Sequence, residues 1–235
     1  MVCFCHYQSY FPVLGTNKGM IRSLFRVRKW KSHNNMRGDV QGMGEKHILE
    51  RREVLFFFIS GVVVSAPLTL YAENLVNQLC MFFRIDGDPY LVFLCGVLAI
   101  PFIEEFTKAY PLLYRHGETQ RSIFILGFAV GLGFGLTEFV LFVTQSGAPI
   151  TSRLPAMIFH AASTSIIAYG IGRKRTVPFF GLAVVLHLLG NLSTFITGFR
   201  FIGGFISLFK AYSLALLLYM RTTETPVSTD DSSTA

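Results

Sequence analysis

Apolar residues fall in six long runs along the chain, and short polar or charged connections separate these runs. The runs cover residues 54–72, 90–114, 122–143, 154–172, 176–197 and 201–220. A helix of about 20 apolar residues is long enough to cross the ~30 Å hydrocarbon core of a bilayer. The pattern therefore predicts an all-α fold, a polytopic transmembrane helical bundle of about six spans.

The composition supports a membrane protein. Apolar residues make up 51% of the 235 residues, charged residues only 15%, and 24 residues are Phe. A water-soluble domain of this size has no interior large enough for so many rings. We predict three regions: a basic cytoplasmic tail over residues 1–53, either solvated throughout or amphipathic around 21–31; a transmembrane bundle over residues 54–220; and a disordered tail over residues 221–235.

The basic residues predict an orientation. Of the 21 Lys and Arg residues, ten precede residue 54, and only Arg84, Arg153 and Arg200 fall on the opposite side of the predicted spans. The positive-inside rule then places both termini in the cytoplasm, in a multi-pass protein of the cell membrane. Basic residues beside spans favour contact with membrane lipid, and the sequence carries no fingerprint of a nucleic-acid-binding protein.

Charged residues interrupt the apolar runs at a few positions. The second run contains Glu104, Glu105 and Lys108. Ionisable side chains inside spans cost ~2.5–3.5 kcal/mol each on insertion scales, so they are candidates for function. Because neighbouring residues on a helix diverge by about 100°, we expect one glutamate to do chemistry and the other to be held by Lys108 as a supporting group.

The third run contains a glycine at every fourth position. Gly127, Gly131 and Gly135 predict a groove in which the backbone of another helix can approach closely. Glu138 follows within one turn of Gly135, so we expect its side chain to point into the bundle.

The remaining candidates lie in the fourth and fifth runs. His160 is in the fourth run, and His187 and Asn191 are one turn apart in the fifth. Counted at ~1.5 Å per residue from the predicted ends of the spans, these residues, Glu104 and Glu138 all lie ~15–24 Å from the cytoplasmic boundary. We therefore expect four helices to contribute to one polar cluster.

Two kinds of hydrolytic chemistry fit this cluster. Two neutral imidazoles, here His160 and His187, and one carboxylate form a set of ligands for a divalent metal, zinc above all, with another glutamate as general base. In a metal-free alternative, Glu104 activates water directly, and the histidines and Asn191 donate hydrogen bonds to the oxyanion.

The motifs also resemble those of a known family. EEFTK (residues 104–108), FGLTE (134–138), the single His160 and HLLGN (187–191) are similar to the EExxK, FxxxE, His and HxxxN motifs of the PrsW intramembrane proteases. That family looks like a branch of the superfamily that includes the CAAX prenyl proteases, which have His at the position of Glu138. The resemblance implies Glu104 or Glu105 as the base, Glu138, His160 and His187 as the metal or oxyanion group, and Asn191 as a supporting contact.

The resemblance implies an intramembrane peptidase that hydrolyses a peptide bond of a membrane-anchored protein such as an anti-sigma factor. One alternative is a CAAX-type processing protease that acts on lipidated substrates. Another is a proton-coupled membrane transporter, since chains of buried Glu and His also carry protons. Transporters are commonly larger and contain internal repeats, and this sequence shows no internal repeat.

Overall fold

The computed structural model describes residues 49–83, 88, 98–114, 119–195, 200–224 and 227. For residues 114, 193–195 and 200–204 it describes the backbone alone. The predicted N-terminal tail, the start of the second predicted span and most of the predicted C-terminal tail lie outside these residues. Within the described ranges the fold is all-helical, as predicted, and contains six helices.

The first helix, α1, is longer than the sequence predicted. It runs continuously over Arg51–Phe82, and its central turns, Gly61–Ser65, have π-helical geometry. Glu50 and Glu53 form a capping box at its N-terminus. The prediction ended this span at Ala72 because a charged residue follows. The helix nevertheless continues, since a helix satisfies its own backbone hydrogen bonds wherever it lies in a membrane.

The other five helices follow the predicted order. They are α2 (Ile100–Ala109, extended by a 3₁₀ turn at Tyr110–Tyr114), α3 (Gln120–Gln145), α4 (Ile150–Gly172), α5 (Thr176–Phe195) and α6 (Arg200–Met220). Helix α3 begins at the N-cap Thr119, whose hydroxyl accepts a hydrogen bond from the backbone of Ser122 at 3.1 Å.

Three of the helices in the described ranges, α1, α3 and α4, are long and apolar enough to cross a membrane. Two shorter apolar stretches lie within α5 and α6, over Thr176–Leu192 and Phe205–Met220. Large apolar side chains are exposed on the outside of the bundle, for example Phe56, Val177 and Phe209. Rings and branched side chains exposed in such numbers are typical of a surface that faces lipid.

Helix α3 packs closely against helices on both of its faces, and the glycine groove predicted for it is confirmed. A Cβ atom on Gly131 would lie 2.3 Å from the backbone oxygen of His160 in α4, and one on Gly127 would lie 2.4 Å from the Cβ of Ala168. On the other face, a Cβ on Gly133 would lie 2.1 Å from the backbone oxygen of Phe58 in α1. The glycines thus bring α1, α3 and α4 close to one another.

Two polar contacts hold the ends and sides of the bundle. The hydroxyls of Thr69 in α1 and Thr107 in α2 are hydrogen-bonded to each other in the interior. After α6, the short segment that follows returns to the start of α3, where Arg121 pairs with Glu224 at 3.0 Å and bonds the backbone oxygen of Thr222 at 3.2 Å. The first contact places α1 beside the helix that carries the EEFTK motif.

Candidate active site

Helix α2 carries two buried glutamates and a buried lysine. Glu105 and Lys108 are completely inaccessible, and Glu104 is 7% exposed. Lys108 donates a hydrogen bond from Nζ to Glu105 Oε1 at 2.7 Å, within one turn of the helix. The lysine therefore pairs with the second glutamate of the motif, and Glu104 points elsewhere.

Glu105 is held by donors from three helices. Its Oε1 atom accepts hydrogen bonds from Lys108, from His187 Nδ1 at 2.8 Å and from Ser163 Oγ at 3.2 Å. A carboxylate fixed in this way is poorly placed to move during a reaction. It instead fixes the orientation and tautomer of His187, because the donated Nδ1–H leaves the lone pair of Nε2 free to face the site.

His160 is also oriented by hydrogen bonds to its ring nitrogens. Its Nε2 donates to Glu138 Oε2, and its Nδ1 accepts from Lys108 Nζ at 2.9 Å. Glu138 also lies 3.7 Å from Arg153 Nη1, and the Arg153 guanidinium lies 3.6 Å above the ring of Phe142. Glu138 thus contacts a histidine on one side and a cation on the other.

Glu104 lies between the two histidines. Its Oε2 is 3.9 Å from His160 Nδ1 and 3.7 Å from His187 Nε2. One ligand atom from each of these three residues lies within 4.8 Å of the other two. Glu104 Oε2 is buried and has no hydrogen-bond partner among the described residues. One carboxylate oxygen and two imidazole lone pairs converging on a small buried space can hold a metal ion.

The charges of the site also fit a divalent cation. Its described ionisable groups include four carboxylates, those of Glu73, Glu104, Glu105 and Glu138, and two basic side chains, those of Lys108 and Arg153. With all four carboxylates ionised and both histidines neutral, these groups would carry two uncompensated negative charges. Uncompensated charge inside a low-dielectric bundle is costly, and a divalent cation would neutralise it.

Two phenylalanines enclose the histidines. The Phe134 ring lies 5.0 Å from the His160 ring and also 5.0 Å from Lys108 Nζ. Phe159 contacts both imidazoles, with ring centroids 5.9 Å from His160 and 5.3 Å from His187. The Phe of the FGLTE motif therefore helps to exclude water from the buried ion pair, in which the electrostatic interactions are consequently stronger.

The structure adds one carboxylate that the sequence reasoning missed. Glu73 in α1 is half-buried, and it lies close enough to Glu138 and Glu104 to interact electrostatically with both. It is one turn after Thr69, which contacts α2 through Thr107, so the two side chains share a face of α1. The sequence alone could have indicated this carboxylate, because Glu73 is the only charged residue between Val54 and Phe83.

Most of the predicted site residues come together. Glu104, Glu105, Lys108, Glu138, His160 and His187 form one contiguous cluster contributed by α2, α3, α4 and α5. Asn191 is half-buried one turn after His187 on α5. The resemblance implied Glu138 as the carboxylate that binds the metal with the two histidines, and this assignment stays a prediction. In the structure, Glu104 is the carboxylate that lies between both histidines.

Comparison with protein families now adds to this geometry. Residues 50–220 match the family described as PrsW family intramembrane metalloproteases. Comparisons with curated proteins and with solved structures found no match. The matched range spans all six helices and every residue of the cluster, and the chain belongs to the PrsW family.

Membership in this family gives the class of the protein. The chain is a membrane protein and an intramembrane protease, its cofactor is a divalent metal, and its substrate is a protein embedded in the membrane. The buried Glu–His–His set offers a site for that metal.

Proposed function

We propose that this protein is a six-span protease of the cell membrane, with both termini in the cytoplasm, that uses zinc to hydrolyse a peptide bond in a membrane-anchored protein. The observation that carries the proposal is the position of Glu104 Oε2. This buried atom has no hydrogen-bond partner among the described residues, and it faces the acceptor nitrogens of both His160 and His187. A set of one oxygen and two nitrogen ligands is typical of catalytic zinc.

In this proposal Glu104, His160 and His187 hold the cation. Glu105 and Glu138 orient the two imidazoles from behind, which is the usual role of a carboxylate hydrogen-bonded to a metal-bound histidine. Lys108 is 2.9 Å from His160 Nδ1, so Nζ has to leave that nitrogen and remain on Glu105 when the site is loaded. When bound, the cation polarises the scissile carbonyl and activates the attacking water.

Proton transfer then needs a carboxylate outside this ligand set. We assign it to Glu73, because Glu138 is already engaged by His160 and Arg153, while no hydrogen bond or ion pair of Glu73 occurs among the described residues. Water attacks the carbonyl carbon, Glu73 takes its proton, and the same proton passes to the leaving amine as the C–N bond breaks. Asn191, on the face of α5 that carries His187, supports the carbonyl oxygen.

The substrate class follows from the site's location. A single-span protein such as an anti-sigma factor can present an unwound segment to a pocket inside the bundle. The basic residues of the connections, together with the ten before residue 54, support cytoplasmic termini and contact with anionic lipid. We also place the protein in the superfamily of the CAAX prenyl proteases, with Glu138 at the position of their histidine.

Metal analysis of purified variants tests the assignment. Wild type should contain close to one zinc per chain, and Glu104→Gln and His187→Ala should lose it, whereas Glu73→Gln should keep it and still lose cleavage of a fluorogenic single-span peptide. Glu224→Gln, far from the site, is the control. If Glu104→Gln kept its full zinc content but lost cleavage, Glu104 would be the catalytic base and not a metal ligand. Full wild-type activity in the presence of chelators would overturn the metal mechanism.

The same assay addresses the alternative substrate class. We expect cleavage of the peptide without any lipid attached. A strict requirement for a prenyl group next to the scissile bond would identify a CAAX-type processing enzyme instead.

A further inference from the structure

Lys210 is a charged residue of α6 that takes no part in the described contacts of the active site. Lys210 is at the centre of α6, ten residues from Arg200 and ten from Met220, and its side chain is exposed. The large apolar side chains of Phe209, Tyr212 and Leu217 are exposed around it on the same helix. Lys210 therefore projects from an apolar surface.

No partner for this lysine occurs among the described residues. The ion pairs and hydrogen bonds of that part of the chain do not include it. Apart from Glu53 in the first turn of α1, the carboxylates in the described helices belong to the active site, and those that are accessible are only half-exposed. A second copy of this chain therefore has no fully exposed carboxylate in its described helices that could pair with Lys210.

The position of Lys210 makes it costly. Ten residues of helix amount to ~15 Å, and a lysine side chain spans less than half of that distance, so its ammonium group cannot reach either membrane surface. A lysine at the centre of a span is costly, and such residues commonly pair with an opposite charge. An anionic lipid headgroup stays at the surface, too far away to be that opposite charge.

The surroundings of Lys210 favour a helix as the partner. Ser207, three residues earlier on the same side of α6, lies against Gly190 of α5, where a Cβ on the glycine would be 3.8 Å from the serine Cβ. Lys210 thus lies beside the seam between α5 and α6, next to the helix that carries His187. Small residues along such a seam let another helix approach the backbone closely.

We propose that Lys210 is the centre of a docking surface for a transmembrane helix of another protein, and that this helix carries an aspartate or glutamate at mid-membrane depth. The proposal takes α6 as a membrane-spanning helix and is independent of the catalytic assignment. It identifies the partner by charge complementarity and by depth. The ion pair would compensate Lys210 in the way that Glu105 compensates Lys108.

The test uses defined helices in liposomes of zwitterionic lipid. The full chain carries a fluorescence donor, and leucine-rich transmembrane peptides with a central Asp, Asn or Leu carry the acceptor. We expect the Asp peptide to associate about fivefold more tightly than the Leu peptide with wild type. Lys210→Arg should keep this preference and Lys210→Met should abolish it. The Asn peptide separates a charge effect from simple hydrogen bonding.

Several outcomes would overturn the proposal. One is equal association of the Asp and Leu peptides with wild type, and another is a preference for the Asp peptide that persists in Lys210→Met. A third is energy transfer between two labelled copies of the chain, in the absence of peptide, that Lys210→Met removes. Rapid labelling of Lys210→Cys by a membrane-impermeant maleimide would show that this depth is aqueous, which also contradicts it. Active-site variants such as His187→Ala should bind the Asp peptide normally, so a failed protease assignment leaves this result unaffected.

Discussion

Lys108 and Lys210 are both lysines within apolar helices, but their environments are opposite. Lys108 is completely inaccessible and bonds Glu105 and His160. Lys210 is exposed and makes no ion pair among the described residues. Both lysines interrupt an apolar run of the sequence in the same way. The burial of each side chain and its hydrogen-bond partners, which only the fold reveals, distinguish a charge inside the polar cluster from a charge on the outer surface.

The comparison teaches how a bundle tolerates charge. Around Lys108, the side chains of Glu105, His160 and His187 are hydrogen-bonded within the cluster, so removing one member leaves its partner buried and unpaired. Around Lys210, the side chain can be removed without leaving an orphan in the described part of the protein. The two sites should therefore respond differently to the same substitution.

The largest effect is expected at Glu104, inside the paired cluster. Glu104→Gln removes the carboxylate proposed to hold the metal between the two histidines, and we expect cleavage of a single-span peptide to fall by about 10³- to 10⁴-fold together with the zinc content. Glu224→Gln makes the same chemical change in an exposed pair and should retain wild-type turnover. Comparable activity in the two variants would remove Glu104 from the chemistry.

The next largest effect is expected when each of the two lysines is replaced by Met and the losses of stability are compared. Lys108→Met leaves Glu105 buried without its cation, and we expect a loss of about 3–5 kcal/mol in the free energy of unfolding. Lys210→Met should change it by less than about 0.5 kcal/mol. Denaturation in detergent micelles measures both. If the two variants melt together, the environments of the two lysines are not as different as the structure indicates.

A smaller effect is expected from packing around the cluster. Gly131→Ala would place a Cβ 2.3 Å from the backbone oxygen of His160 and 2.7 Å from the hydroxyl of Thr164, so α3 and α4 would have to separate, at a cost of about 1–3 kcal/mol. Gly181→Ala is the matched control, because nothing lies within 4 Å of its Cβ position. It should be neutral or stabilising by up to about 1 kcal/mol. Thermal unfolding of both variants in the same detergent checks this.

The smallest effect is expected at a charge pair outside the apolar region. Arg121 and Glu224 are 38% and 40% exposed, so Glu224→Gln should cost less than about 1 kcal/mol, and less still at high salt. A melting series at low and high ionic strength measures it. A cost as large as that of Lys108→Met would mean that the C-terminal segment contributes to the core.

The sequence predicted the helices well because the apolar runs are long and the connections short. It also predicted the cluster, since Glu104, Glu138, His160 and His187 fall at one depth. It did not indicate which glutamate pairs with Lys108: Glu104 and Glu105 are adjacent, and the choice depends on where His187 and Ser163 of other helices lie. It also ended α1 too early, because a charged residue was taken as a boundary, and so it excluded Glu73.

The predicted metal set illustrates the same limit. Depth along a helix is a one-dimensional quantity, and it grouped Glu138 with the histidines as readily as Glu104. Rotation about the helix axis decides which carboxylate oxygen lies between two rings. That rotation depends on packing, here on the glycine contacts of α3 with α4, which neither spacing nor composition determines.

The glycine contacts of α3 also bear on how a polypeptide reaches the cluster. Backbones this close interlock, and close-packed interiors shift between discrete arrangements instead of deforming gradually. We therefore expect α3 and α4 to act as one rigid block, with Glu138 and His160 fixed in it. An entrance for an extended substrate would then have to open by sliding or tilting of other helices, while α3 and α4 keep their relative positions.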